Sequence, residues 1–150
     1  MHAITKGLLA GAAGTLALDM VTYGDMLLRG RPSSSIPAQA AERLAGRARI
    51  PLGDGEEKEN RTQAAGALMG YATGVGAGVV YGLLRHHRPP LPDWAAGPLL
   101  GAAVMVGANT PSIALRLTDP ASWDLASWVS DAVPHLVYGL TTAAAYRVMR

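Results

Sequence analysis

The chain has no cysteine and no phenylalanine among its 150 residues, and only 16% of the residues are charged. The absence of cysteine excludes disulfide bonds and thiolate metal sites. The basic residues of 29–61 are interleaved with acidic ones, so the chain also lacks the concentrated basic and aromatic surface of a nucleic-acid-binding protein. We therefore expect no nucleic-acid partner.

Catalytic motifs are lacking as well. The sequence contains no glycine-rich phosphate loop, no nucleophile elbow and no metalloprotease helix motif. The adjacent His86 and His87 have no third ligand spaced nearby, so they do not form a metal-site motif. The sequence therefore predicts a protein that is not an enzyme and that uses no cofactor or metal.

What the chain does contain is a strong segregation of charge. Hydrophobic residues make up 49% of it, whereas charged residues crowd into 29–61, 85–93 and the last few positions. The apolar runs between these regions are long enough to cross about 30 Å of hydrocarbon at about 1.5 Å per residue. The pattern predicts an all-α fold, a single-domain four-helix transmembrane bundle, with spans at about 4–28, 63–84, 94–117 and 128–149.

Details of these runs also fit a lipid environment. Prolines interrupt the third and fourth runs, and a membrane bundle tolerates them because neighbouring helices satisfy the freed backbone groups. Tryptophans fall near the predicted span ends, where an amphipathic ring prefers the interface (Trp94, Trp123 and Trp128). The first run is too long for a signal-peptide core and carries Asp19 and Asp25, so we expect it to be retained.

The connection 29–62 is the only long one. Ser35, Ile36 and Pro37 form a helix-start signal within it. We expect an amphipathic helix over about 37–48 that lies at the membrane interface, with anionic lipid headgroups as the partner of this loop. The stretch 53–60 is so polar that we expect a solvated loop there.

Glycines recur at every fourth residue of the second predicted span. In a water-soluble helix each buried glycine would cost about 1 kcal/mol relative to alanine, whereas in a bilayer small residues let two helix backbones touch. Similar small surfaces occur on the first span. We interpret these glycines as helix-packing seams rather than as a sliding gate (Gly66, Gly70, Gly74, Gly78 and Gly82, with Gly7, Gly11 and Gly14).

Polar side chains interrupt three of the predicted spans at one depth. Asp19, Asn109 and His135 each lie about three residues, hence about 4 to 5 Å, from the centre of a span, on the long-loop side. Helical spacing extends each of them into a polar face that we expect to point inward. The predicted intramembrane cluster consists of Thr15, Asp19, Thr22, Asn109, Ser112, Asp131, His135 and Tyr138.

This cluster has two interpretations. As interhelical hydrogen bonds, the groups would fix how weakly hydrophobic helices pack, each contributing roughly 1 kcal/mol. As a proton or ion relay, Asp19, Asp131 and His135 would exploit the titration of histidine near neutral pH. We favour the structural interpretation, although ionisable groups inside a membrane are often functional.

The last predicted span carries a family resemblance. Its run Pro134-His135-Leu136-Val137-Tyr138-Gly139-Leu140 follows a polar stretch with tryptophan and resembles the last span of YagU-like small inner-membrane proteins. The glycine-rich first span, which ends in Arg29-Gly30-Arg31-Pro32, is similar too. The resemblance implies a multi-pass bundle in a bacterial inner membrane, linked to acid tolerance in at least one branch of the family. It places the family's histidine at His135 and transfers no catalytic residue.

Two hypotheses about function follow. The first is an accessory or assembly component whose small surfaces dock against a second copy or against a larger membrane complex. The alternative is a small proton-linked transporter or channel that uses the Asp, His and Asn residues of the predicted cluster.

Overall fold

The fold is all-α, as the sequence predicts. The computed structural model describes residues 2–87 and 91–149, without the side chains of His87 and Asp93. Within these residues there is no strand, and a single 3₁₀ turn, Pro120–Ser122, precedes the last helix. The helices are α1 (Ala3–Arg29), α2 (Ile36–Ala48), α3 (Gly55–His87), α4 (Asp93–Ala114) and α5 (Leu125–Val148).

The long helices form an antiparallel array with α1 and α5 at its centre. α1 packs along both α3 and α5, and α5 packs along α4, whereas α3 and α4 contact each other only slightly. The start of α1 lies against the end of α3, and Arg29 at the end of α1 donates to Ser130 near the start of α5. The start of α1 and the end of α5 are therefore at one end of the array, and α2 is at the other.

Local sequence signals account for several helix ends. α1 ends at Arg29, and Gly30 follows it in the left-handed conformation (φ 63°) that glycine adopts most easily. α5 begins after Asp124, whose carboxylate accepts the backbone N–H of Ser127 at 2.7 Å. Hydrogen bonds from Ser127 hold the pKa of this carboxyl below its usual value. The predicted start of α2 is also observed, although the Ser35 hydroxyl does not cap it.

The polar stretch 53–60, predicted as a solvated loop within the connection 29–62, is largely helical, and this prediction is wrong. α3 begins at Gly55, and its first turn contains Glu56 and Glu57, whose charges favour a helix N-terminus. Lys58 forms an ion pair with Glu42 of α2, and this partner raises the pKa of the Lys58 ammonium. Charge–dipole and ion-pair contacts thus extend α3 into a region that hydropathy alone marks as loop.

Two of the described helices are long and apolar enough to cross a membrane, namely Ala3–Arg29 and the part of α3 that covers Gly55–His86. α4 and α5, which contain prolines and polar side chains, are not among them. Length and composition therefore identify two of the four predicted spans.

The interior is built from small and polar residues rather than from large aliphatic ones. Thr142 and Tyr138 are fully buried, and most of the buried apolar residues are alanines and tyrosines. Large aliphatic side chains lie outside, with exposed fractions such as 62% for Leu16, 67% for Leu68 and 67% for Val106. This distribution is the reverse of the usual one in water-soluble proteins.

Candidate functional site

The first seam joins α1 and α3 through glycine backbones. A Cβ atom added at Gly7 would lie 2.6 Å from the carbonyl oxygen of Gly78, and one added at Gly82 would lie 2.7 Å from the carbonyl oxygen of Ala3. Gly11 and Gly74 contribute to the same contact. Because these distances are shorter than real Cβ contacts allow, any side chain here would force the helices apart.

The glycine row of α3 does not form one continuous seam. Gly66 contacts α2, since a Cβ there would lie 2.7 Å from the carbonyl carbon of Pro37. Gly70 faces open space, with no atom within 4 Å of its added Cβ. The prediction that Gly70 packs against another helix is therefore not met within the described chain. The reason is that α1 covers only the Gly74–Gly82 part of the row and α2 covers Gly66.

A second seam lies between α4 and α5. It includes Gly139 of α5, which the sequence analysis did not predict as a packing residue. A Cβ at Gly101 would lie 2.5 Å from the carbonyl oxygen of His135, and Gly139 sits against the backbone of Gly97 and Gly101. Gly14 of α1 lies under Thr142 and Tyr138 of α5. Gly97 and Gly101 are four residues apart, which is the small-residue spacing that predicts close contact between helices. A lone glycine such as Gly139 gives no such signal in the sequence.

Three residues of the predicted polar cluster come together between α4 and α5. The side-chain amide of Asn109 donates to the Asp131 carboxylate at 2.7 Å and to the carbonyl of Met105 at 3.1 Å. His135 Nδ1 lies 2.7 Å from the Asp131 carbonyl oxygen and 3.4 Å from its carboxylate. The side chains of His135 and Asp131 are 13% and 24% exposed. The arrangement places a carboxylate between an amide and an imidazole at the α4–α5 contact.

Asp19 is not a member of this hydrogen-bonded group. Its carboxylate instead lies close to the side chain of Tyr71 of α3. Asp19 follows Gly11 by eight residues, which is about 80° of rotation around the helix, so its side chain lies to one side of the α1–α3 seam. Equal depth in the membrane was the basis of the prediction, and depth says nothing about rotation. The predicted cluster is therefore divided: Asp19 lies near Tyr71, apart from the group of Asn109, Asp131 and His135.

The other predicted polar residues have structural partners. The Thr15 hydroxyl donates to the Gly11 carbonyl at 2.9 Å, and the Tyr138 hydroxyl donates to the Gly74 carbonyl at 2.6 Å. Ser112 is buried and Thr22 is half-buried. Sequence reasoning missed Tyr146, whose hydroxyl donates to the Gly82 carbonyl at 3.0 Å. The spacing of eight residues, two turns, after Tyr138 was the signal for it.

Ionic contacts gather at the end of the array that carries α2. Asp25 accepts from Arg31 Nε at 2.5 Å and from Arg29 at 3.3 Å, and Arg29 also donates to Ser130 at 2.8 Å. Arg43 of α2 donates to the carbonyl oxygen of Leu115 just after α4. These contacts attach α2 and the two flanking helix ends to each other.

Two hollows lie on the described surface, and neither is lined by the polar group between α4 and α5. One, of about 450 Å³, lies beside the 113–119 turn and is lined by Ile113, Arg116, Leu117, Thr118 and Asp119. The other, of about 260 Å³, lies over the outer side of the α4–α5 seam. No group of three potential metal ligands occurs among the described residues. Comparison with protein-family models, with curated proteins and with solved structures found no match to this chain.

Proposed function

We propose that the protein is a four-pass membrane protein, α1, α3, α4 and α5 being its spans, that acts as an accessory or assembly component. The main observation in favour of a membrane location is that large aliphatic side chains lie on the outside of the array and small and polar residues lie inside it. Large aliphatic residues cover the outer faces of all four long helices, α4 and α5 included. In water, burial of these side chains would be strongly favoured at about 25 cal/mol per Å², whereas in hydrocarbon their exposure costs nothing.

The close packing of the interior supports an assembly role over a conduit. Backbones touch along the α1–α3 and α4–α5 seams, and tyrosine hydroxyls of α5 bond to carbonyls of α3. Helices in direct backbone contact leave little space for a substrate path between them. The resemblance to YagU-like proteins, a prediction from the last span, agrees with a compact multi-pass bundle.

The surface that remains for a partner is smaller than the sequence suggests. Most glycines of the predicted docking seams are used within the fold, so Gly74→Leu would disturb the fold itself rather than an interface. Gly70 of α3 and Gly107 of α4 face open space. The Asp19–Tyr71 pair is a polar feature on the outer side of the α1–α3 contact, and Tyr71 is 49% exposed. A partner helix that covers such a pair would remove a polar group from lipid.

Association in mild detergent tests the assembly proposal. We expect Gly70→Leu to weaken self-association or co-purification with a partner, as measured by native gels and light scattering, while the helical content stays unchanged. Gly46→Leu, at an open glycine of α2 outside the four proposed spans, is the matched control. A wild-type chain that is strictly monomeric and purifies alone would contradict the proposal, as would a Gly70→Leu variant that assembles normally.

A small proton-linked transporter is the second candidate, and the hydrogen-bonded Asn109, Asp131 and His135 favour it. Partly buried ionisable groups inside a membrane are expensive, and they often mark a proton path. In proteoliposomes, this candidate predicts a proton flux that Asp131→Asn and His135→Ala abolish and that Thr73→Ala, at an exposed position, leaves intact. Absence of flux from the wild-type chain would leave the assembly role as the better account.

A further inference from the structure

The hollow at the end of α4 combines opposite charges with apolar side chains. It has a volume of about 450 Å³ and is lined by Ile113, Arg116, Leu117, Thr118 and Asp119. This end of the array, which also carries α2, is described throughout, from 29 to 61 and from 110 to 130. The charges that face the hollow are therefore all on view, and its volume is within the range of small-molecule sites.

Arg116 supplies a cation to the hollow. The residue is exposed, and its guanidinium has neither a hydrogen-bond nor an ion-pair partner among the described residues. The backbone beneath it is fixed, because the N–H of Arg116 donates to the Ile113 carbonyl and the N–H of Leu117 donates to the Ser112 carbonyl, both at 2.9 Å. These bonds end α4 with Arg116 in the left-handed conformation (φ 54°). An ordered backbone thus presents a guanidinium that is available to an oxyanion.

Thr118 and Asp119 add a donor and an acceptor. The Thr118 hydroxyl oxygen accepts from the indole N–H of Trp123 at 2.8 Å, so its own hydrogen remains free to donate. One oxygen of the Asp119 carboxylate accepts the backbone N–H of Ala121 at 3.0 Å. The other oxygen has no hydrogen-bond partner among the described residues, and Asp119 forms no ion pair with Arg116. The hollow therefore contains a cation and a carboxylate that do not neutralise each other.

The same hollow has an apolar side and an aromatic neighbour. Ile113 is 43% exposed, and Leu117 is half-buried. Trp123, which is bonded to Thr118, packs edge-on against Trp128 with ring centroids 5.1 Å apart. Tryptophans are enriched at the headgroup level of membrane proteins. In the proposed four-pass arrangement, the hollow therefore lies where lipid headgroups and acyl chains meet.

The two opposite charges favour one class of lipid over others. The phosphate of a purely anionic headgroup would be attracted by Arg116 but repelled by Asp119. A headgroup that carries both a phosphate and an ammonium satisfies both side chains. Arg43 of α2, which approaches this helix end, is already bonded to the carbonyl oxygen of Leu115. The lining thus matches a zwitterionic ligand better than an anionic one.

We propose that this hollow binds an aminophospholipid, such as phosphatidylethanolamine, from the surrounding membrane. The lipid phosphate accepts from the Arg116 guanidinium and the Thr118 hydroxyl, and the lipid ammonium donates to the Asp119 carboxylate. The first acyl carbons lie against Ile113 and Leu117. The proposal rests on the membrane location proposed above. Extraction of membranes with alkaline carbonate tests that location separately, because it does not depend on which lipid is bound.

Lipid binding to the full chain in a maltoside detergent tests the proposal. Delipidated protein is titrated with phosphatidylethanolamine, phosphatidylglycerol or phosphatidylcholine, and native mass spectrometry reports the lipid-bound fraction. We expect phosphatidylethanolamine to bind about tenfold more tightly than phosphatidylglycerol, which has no cation, and than phosphatidylcholine, whose ammonium has no N–H donor. Absence of phosphatidylethanolamine binding, or equal or tighter binding of either other lipid, would overturn the proposal. Soluble phosphoethanolamine that binds as tightly as the lipid would also overturn it.

Substitutions separate the two charges of the hollow. Asp119→Asn keeps an acceptor for the Ala121 N–H, and we expect it to abolish the tenfold preference for phosphatidylethanolamine over phosphatidylglycerol. Arg116→Gln is expected to weaken binding of both lipids. Arg49→Gln is the matched control, since Arg49 is also exposed and left-handed (φ 57°) at a helix end but does not line the hollow. A preference that survives Asp119→Asn would overturn the proposal, as would equal losses in Arg116→Gln and Arg49→Gln.

Hydrogen exchange of the wild-type chain provides a measurement that holds even if a variant fails to fold. A bound headgroup excludes water and opposes local opening of the backbone. We therefore expect phosphatidylethanolamine to slow amide exchange in 113–121 more than phosphatidylglycerol does, and to leave 46–50, at the end of α2, unchanged. Equal exchange of 113–121 in the two lipids would overturn the proposal.

Discussion

At the scale of single residues, two tyrosines connect helices whose backbones hardly meet. Tyr138 and Tyr146 of α5 donate to the carbonyls of Gly74 and Gly82 of α3. Both pairs are eight residues apart, so the two bonds repeat after two helical turns on each helix. The acceptors are glycines, and a Cβ at Gly74 would meet Thr15 while one at Gly82 would meet Ala3, so the missing side chains make room for α1.

Removal of one hydroxyl tests this connection. We expect Tyr138→Phe to lower the free energy of unfolding by about 1 kcal/mol, because a buried hydrogen bond is lost while the ring still fills its space. Denaturation in sodium dodecyl sulfate, followed by circular dichroism, measures the change. Tyr23→Phe is the control, since Tyr23 is 61% exposed. Equal effects of the two substitutions would contradict a specific role of the Gly74 contact.

The carboxylate of Asp124 gives the start of α5 a dependence on pH. Hydrogen bonds from Ser127 lower its pKa in the folded protein, so the stabilisation is complete above the unfolded-state pKa and is lost as the pH falls through the folded-state pKa. We expect Asp124→Asn, which keeps an acceptor oxygen but cannot titrate, to reduce the loss of stability between neutral and acidic pH. Unfolding curves at several pH values measure this. An unchanged pH profile would show that the cap does not contribute.

At the scale of helices, the close approach of α1 to α3 is decided by which glycines meet. Gly78 lies against the backbone of Gly7 and Gly11, whereas Gly70, two turns earlier on the same helix, touches nothing. Identical residues in one periodic row therefore have opposite roles. The difference arises because a second helix crosses only part of the row.

Matched alanine substitutions separate the two roles. Gly78→Ala places a Cβ into the α1 backbone, and we expect a loss of roughly 1–3 kcal/mol from overpacking. Gly70→Ala is expected to be neutral or to stabilise by up to about 1 kcal/mol, through helix propensity alone. Unfolding of both variants in sodium dodecyl sulfate gives the comparison. A destabilised Gly70→Ala together with a tolerated Gly78→Ala would contradict the observed seam.

At the scale of the whole molecule, the reversed distribution of side chains is the basis of our proposal that lipid surrounds the array. Its antiparallel order would place the start of α1 and the end of α5 on one side of the membrane, and α2 with the 3₁₀ turn on the other. The two proline-containing helices, α4 and α5, would also cross.

The absence of cysteine makes this topology directly measurable. Single cysteines at Ser33 and Ser122 should react with a membrane-impermeant maleimide from one side of sealed vesicles, and a cysteine at Leu91 only from the other side. The cysteine-free chain is the background control. Reaction of all three positions from the same side would contradict four spans, as would release of the protein from membranes by alkaline carbonate.

The sequence anticipated the helices better than their contacts. Apolar runs and the helix-start signal that ends in Pro37 are local, so they predict where helices lie. The extension of α3 to Gly55 was missed because it depends partly on the ion pair of Lys58 with Glu42, which are distant in sequence.

The polar residues also show that the sequence predicts positions along a helix better than contacts between helices. Asn109, Asp131 and His135 were expected to be close, and they are, whereas Asp19 lies near Tyr71 on another helix. Depth along each helix follows from counting residues, but rotation about the helix axis depends on which neighbour is present. Sequence analysis assigned no role to Arg85, which is buried and has its guanidinium 5.8 Å from the centroid of the Tyr81 ring.

The amino-acid sequence by itself determined that the chain is helical, and it determined which stretches are apolar and where small residues recur. These properties depend on backbone propensity and on hydropathy, both of which act over a few neighbouring residues. Only the tertiary structure decided which glycines form a seam between helices and which polar groups meet. Those outcomes depend on the crossing of helices that are far apart in the chain, and local chemistry does not specify that crossing.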